Sequence, residues 1–122
     1  MGFVTYSVVD LDQIEPAGPG GAVRFVRQEL GATAFGINHF TLAPDATGRE
    51  HDERDSCQEE VIVVLAGSGV MTIDGEAVAL KPGRFVRLDP EATRVPVAGP
   101  DGLTFITIGS PREKPYTPRG PF

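Results

Sequence analysis

Between Pro44 and Gly67 the chain reads PDATGREHDERDSCQEEVIVVLAG. His51 stands among acids, and Glu59 and Glu60 open an apolar run that stops at Gly67. Imidazole and carboxylate are the donor types that bind Mn, Fe, Ni or Zn, and the same groups hold polar small molecules by hydrogen bonds. The order puts polar side chains at the mouth of a strand whose remainder is buried, which is the plan of a polar pocket inside a β-barrel. Neighbours on a strand point to opposite faces, so Glu59 and Glu60 cannot both face inward. Glu60 shares parity with Ile62 and Val64 and is assigned to the interior. His51 is assigned to the pocket, against the plainer alternative of a solvated loop residue. Glu53 either joins them as an oxygen ligand or stays on the loop, and Asp52 and Asp55 are read as loop charge. Cys57 lies between His51 and Glu60, as a thiolate ligand or, more commonly for a lone cysteine, a small buried hydrophobe.

Other reactive groups are few. The chain has two histidines, and no G-x-S-x-G elbow accompanies them, so nothing resembles a nucleophile triad. Asn38 is in phase with Phe40 and is expected to line the pocket. His39 is out of phase with Phe40 and Leu42 and belongs on the outer or an interface face. Met71, Phe85, Phe105 and Ile106 are expected in the core. No glycine spacing marks a phosphate-binding loop.

The elements that must position these groups are short strands. Fifteen glycines and eleven prolines punctuate 122 residues. Apolar runs of about five to eight residues recur between turn signals, as in an all-β sandwich or barrel. Strands are expected at Phe3–Val9, Val23–Leu30, Ala34–Leu42, Glu60–Ala66, Val70–Ile73, Ala77–Leu80, Arg84–Leu88, Thr93–Val97 and Leu103–Ile108. Asp10–Ile14 reads as a helical turn and Pro16–Gly21 as a loop. Asp74-Gly75 is a strong two-residue hairpin signal. Gly67-Ser68-Gly69 and Gly99–Gly102 read as turns, and Ala46–Gln58 as a long loop or a frayed strand. The prolyl tail cannot join a central strand. About ten short strands result, in a jelly roll, a lipocalin-like barrel or an immunoglobulin-like sandwich. The Cys-Trp-Cys pattern of true immunoglobulin domains is missing, since the chain has one Cys and no Trp.

Composition sets the outer bounds. A chain of 122 residues fits one domain, residues 1–122, with an N-terminal strand and loop over 1–22 and a Pro-rich tail over 109–122. A formal charge of −6 repels phosphate backbones, which argues against nucleic acid. One cysteine forms no internal disulfide. The start MGFVTYSVVDLD has no basic head or long apolar stretch, and no run approaches the roughly 20 residues that span a bilayer. A soluble cytoplasmic protein without membrane association is the expectation.

Two stretches resemble the motifs of a single-domain cupin of the conserved-barrel type. The first motif runs from a Pro-Gly turn, over five residues, to His-x-His, then to Glu and, six residues on, to Gly. Here Pro44-Asp45 stands at the turn, His51 at the first histidine, Glu53 at the second, and Glu60 is separated from Gly67 by six residues. The gap from Glu53 to Glu60 is longer than the family pattern. The second motif starts at Pro82-Gly83 and passes a proline turn at Asp89-Pro90. Counted from Gly83, its histidine position falls on Arg94 and its asparagine position on Ala98. Counted from Pro90, the histidine position falls on Val95. Arg94 is preferred, because an apolar residue explains nothing there.

The resemblance implies a double-stranded β-helix (jelly-roll) barrel. It also implies a divalent transition metal held by three histidines and one glutamate, and a dimer in which N-terminal strands cross between subunits. The matching positions here are His51, Glu53 and Glu60 for a metal, with Arg94 and Glu60 for a ligand, which Asn38 joins by its strand phase. Arginine has donors only and does not ligate. At ~5 Å and an effective dielectric of about 20, its charge and a divalent cation repel by roughly 6–7 kcal/mol. Arg94 either snorkels outward as a surface cation or points inward and pairs with Glu60 in place of the metal. The expected function is binding of a small polar or anionic molecule, with weak metal or none. The alternative is a metal-dependent dioxygenase or isomerase using His51, Glu53 and Glu60.

Overall fold

The computed structural model describes residues 5–121. Six strands form one antiparallel system: β1 (Val23–Arg24), β2 (Gly36–Leu42), β3 (Gln58–Ile73), β4 (Glu76–Leu80), β5 (Phe85–Leu88) and β6 (Arg94–Pro111). One short helix, α1 (Val26–Leu30), lies between β1 and β2. The strand order is β1-β2-β6-β3-β4, with β5 also paired to β3. The all-β jelly-roll barrel expected from the sequence is what the chain forms.

The expected strands are fewer and longer because two expected turns are bends. β3 runs through Gly67-Ser68-Gly69 and β6 through Gly99–Gly102 without breaking. The ladder between them shifts register between Val64 and Ala66 and again between Gly67 and Gly69. Such irregularities bend a strand and raise its twist, which lets one strand serve two walls of a barrel. They also change its parity. Ile62 and Val64 point inward on even numbers, and Met71 points inward on an odd one, all at 2% exposure or less. Gly67 sits at φ 78°, and a Cβ built there would collide with the backbone carbonyl of Gly102, itself at φ 78°. Only glycine permits that backbone approach. At Asp74-Gly75 both residues have positive φ (49° and 85°), and Ile73 pairs Glu76, as a tight hairpin turn requires.

Other expectations need correction. Val23–Leu30 is not one strand: after Arg24 the chain turns into α1. Arg27, Gln28, Glu29 and Leu30 are good helix formers, Val26 and Leu30 share the half-buried face, and Gly31 caps the end by donating its N–H to the Arg27 carbonyl at 2.8 Å. In the expected strand Phe3–Val9, Phe3 and Val4 lie outside the described residues, and Thr5–Val9 does not join the sheet. Phe85 is 70% exposed rather than core, because it shares the outward parity of Arg87 while Leu88 points in. Cys57 is exposed, not buried.

Leu42, Ile62, Val64, Met71, Leu80, Leu88, Leu103 and Phe105 form the core. Phe40 stacks on Phe105 with centroids 5.0 Å apart and an interplanar angle of 11°. The core fills one part of the barrel interior and leaves a cavity beside it.

Candidate functional site

The cavity measures about 610 Å³. Its polar end is built by Asn38, His51, Glu53, Glu60 and Arg94, and its apolar wall by Phe40, Leu42, Ile62, Met71 and Phe105. The sequence-derived residues therefore share one space. Asn38 and Glu60 arrive by strand parity. Asn38 pairs across to Thr107 on β6, which pairs in turn with Ile62 on β3. Glu60 lies between Gly109 and Leu88 in the sheet.

His51 arrives by a different route. The stretch Ala46–Gln58 is the frayed strand rather than the free loop. Gly48 donates to the Pro96 carbonyl at 2.8 Å and Glu53 to the Pro90 carbonyl at 2.9 Å. Between these bonds, His51 and Arg94 exchange backbone hydrogen bonds of 3.0 and 2.9 Å. The two residues are thus locked opposite each other. The ring of His51 has Nε2 3.3 Å from Glu53 Oε1, and Nδ1 3.3 Å from the Arg49 carbonyl oxygen. Both ring nitrogens face oxygen acceptors.

Arg94 points inward and is 1% exposed, the largest fully buried side chain among the described residues. Its Nη1 donates to the Ala92 carbonyl at 2.8 Å. Its Nη2 stands 3.6 Å from Glu60 Oε1, a charge contact longer than a hydrogen bond. Among the described residues, neither Nε nor Nη2 finds a hydrogen-bond acceptor. At this separation and an effective dielectric of about 20 the Coulomb attraction is roughly 4–5 kcal/mol. Desolvating two ions costs several kcal/mol each, so the pair does not by itself stabilise the fold. Burial pushes the Glu60 carboxyl above its usual range. The Arg94 charge pulls it back down, Glu53 adds to the rise, and His51 opposes it.

A second, more open cleft of about 420 Å³ shares Asn38, Glu53 and Glu60 with the first and adds Arg27 and Gln58. Glu60 therefore stands between two spaces.

The comparisons with known proteins agree with this architecture. The cupin-domain family model matches residues 38–101. The chain belongs to the cupin family. A cupin protein from Bacteroides fragilis superposes with a TM-score of 0.78 at 24% identity, covering 94% of this chain and 93% of its own. A sugar phosphate isomerase from a cupin superfamily, from Silicibacter pomeroyi, gives 0.70 at 22% identity, covering 85% and 75%. A predicted oxalate decarboxylase from Thermotoga maritima gives 0.72 at 18% identity, covering 85% and 98%. These likenesses establish the fold, and the range of activities in their names shows that the fold does not fix the chemistry. Among curated proteins, none matches the chain.

Cupins commonly hold a transition metal, and the residues here do not suit one. Among the described residues no three His, Cys, Asp or Glu side chains are grouped so that they could hold a metal ion. His51, Glu53 and Glu60 line one cavity, yet His51 Nε2 is turned onto Glu53. A buried guanidinium stands at the motif's last histidine position.

Some features escaped the sequence. Thr107 and Phe25 also line the cavity. Thr107 was accessible through its phase with Phe105, whereas Phe25 depends on the helical turn that replaces the expected strand. His39 lies off the cavity as expected, but it is 9% exposed, with Nδ1 unpartnered among the described residues. Burial, and then the charge of Arg24, lower its pKa.

Proposed function

We propose that the barrel binds a small polar or anionic molecule directly, with the Arg94–Glu60 pair in place of a metal centre. One observation carries this. Arg94 is buried at 1% exposure beside a cavity, with two nitrogens, Nε and Nη2, left without acceptors among the described residues. Leaving buried donors unmade costs about 1–3 kcal/mol each, and hydrogen bonds to charged groups recover it. A ligand oxygen in the cavity would supply the missing acceptor.

Calorimetric titration of chelator-treated protein with Mn, Fe, Ni and Zn salts, and separately with acetate, tests the proposal. No stoichiometric site at micromolar metal is expected, together with acetate binding that is lost in Arg94→Gln. Stoichiometric metal binding that His51→Ala abolishes would contradict it.

A further inference from the structure

We infer that the ligand is a monocarboxylate on an apolar body, held side-on by Arg94 at the polar end of the cavity with its body against the Phe40–Phe105 wall. The inference rests on the anion-binding role proposed above and narrows it to one chemical class.

The first ground is the shape of the free donor edge. The guanidinium is planar, and Nε–H and the Nη2–H beside it lie along one edge. These are the two groups without acceptors, while Nη1 on the far side is spent on the Ala92 carbonyl. That edge matches the two oxygens of a carboxylate in a bidentate pair. A hydroxyl or amide oxygen engages one of the donors and leaves the other unmade.

The second ground is charge. Arg94 is the buried cation of the cavity and Arg49 an exposed one in its lining, and Glu60 and Glu53 line the same space. A phosphate carries about −1.5 to −2 at neutral pH and would meet both carboxyls with one buried guanidinium to offset it. A carboxylate brings a single charge. The Arg94 guanidinium offsets that charge one for one.

The third ground is the rest of the lining. Beyond the polar end the wall is mostly apolar, with Phe40, Leu42, Ile62, Met71 and Phe105, and Thr47 and Thr107 add the hydroxyls of the lining. Such a wall leaves most hydroxyls of a sugar acid without partners, and unpaired polar groups cost more than apolar contact returns. A volume of about 610 Å³ falls in the range of small-molecule sites, roughly 300–1,000 Å³.

Calorimetry on the full chain, with phenylacetate and 4-methylpentanoate, their two primary amides, gluconate and inorganic phosphate, tests the inference. At least one apolar acid is expected to bind one to one, at least about tenfold more tightly than its amide, gluconate or phosphate. Arg94→Gln should remove that preference. The acid-to-amide ratio in the unaltered protein stands even if this variant folds poorly. Tighter binding of gluconate or phosphate, still dependent on Arg94, would overturn the ligand class and leave the anion-binding role intact. No binding by any of the six probes would overturn both.

Discussion

Arg94 and Glu60 face each other across the cavity with Nη2 and Oε1 3.6 Å apart, and their side chains are 1% and 12% exposed. The two partners differ in what each can do when left alone. A carboxyl can take up a proton and become neutral, whereas a guanidinium stays charged. Glu60→Gln leaves the Arg94 charge without a counter-ion but also removes a carboxylate whose ionised form burial disfavours, so it should change stability by no more than about 1 kcal/mol. Arg94→Met, which removes the buried cation and leaves Glu60 to protonate beside an apolar side chain, should likewise cost about 1 kcal/mol. Urea denaturation of the two variants at neutral pH checks both. A loss of about 3 kcal/mol or more for Glu60→Gln would mean that Arg94 needs the ionised carboxylate.

The raised Glu60 pKa predicts a pH dependence of definite sign. Between the ordinary value of 4.5 and its raised folded value, the folded state holds the Glu60 proton more tightly than the unfolded state. Stability from this group accordingly falls as pH rises through that window. His39 works in the opposite direction. Its pKa lies below 6.5, so the folded state loses stability as pH falls from 6.5 toward that lowered value. Half-buried Asp52 and Asp89 are both held below 3.8, Asp52 first by the Arg54 backbone N–H and Asp89 first by the Arg87 side chain, and add losses only in stronger acid. Denaturation midpoints against pH for Glu60→Gln and His39→Gln should each lose one of the two slopes, with opposite signs. Parallel profiles for both variants and the parent would rule this out.

Two glycines with similar backbone angles should respond very differently to alanine. Gly67, at φ 78°, has no room for a Cβ against Gly102, whereas Gly83, at φ 84°, has nothing within 4 Å. Gly83→Ala should cost about 1 kcal/mol, the strain of a positive φ alone. Gly67→Ala should cost at least about 3 kcal/mol, since the β3–β6 bend must open as well. Thermal denaturation of the pair gives the comparison, and equal losses would show that the bend yields freely.

We further propose that the protein is a homodimer. Thr5–Val9 does not join its own sheet, and Tyr6 and Val8 are 78% and 79% exposed. Sedimentation at micromolar concentration should give twice the chain mass of 13.0 kDa. Removal of residues 1–9 should return the chain to a monomer, and a monomeric parent would contradict the proposal.

Much of the barrel was legible because strands write their parity into the sequence. The inward set Asn38, Phe40 and Leu42 and the set Glu60, Ile62 and Val64 follow directly from it. The Asp74-Gly75 turn was legible because its backbone demands those residue types. The bends were not, since glycine signals a sharp turn and a strand irregularity alike, and only the partner backbone at Gly102 distinguishes them. The helix over Val26–Leu30 was hidden for a similar reason: a half-buried segment this short fits both periods. At the site, His51 was legible by type and motif spacing. Its pairing with Arg94 depends on Ala46–Gln58 running beside β6, which a charged composition disguises as loop. The direction of Arg94 was open, because the same side chain snorkels or points inward with the partners it finds.

The most direct test of a metal-free anion site is a crystal structure of the protein as purified, followed by one soaked with phenylacetate. The centre of the barrel is expected to show oxygen atoms within hydrogen-bonding distance of Arg94 Nε and Nη2, in the second structure those of the carboxylate. A metal ion bonded to His51 and Glu60, with Arg94 turned out of the cavity, would contradict it.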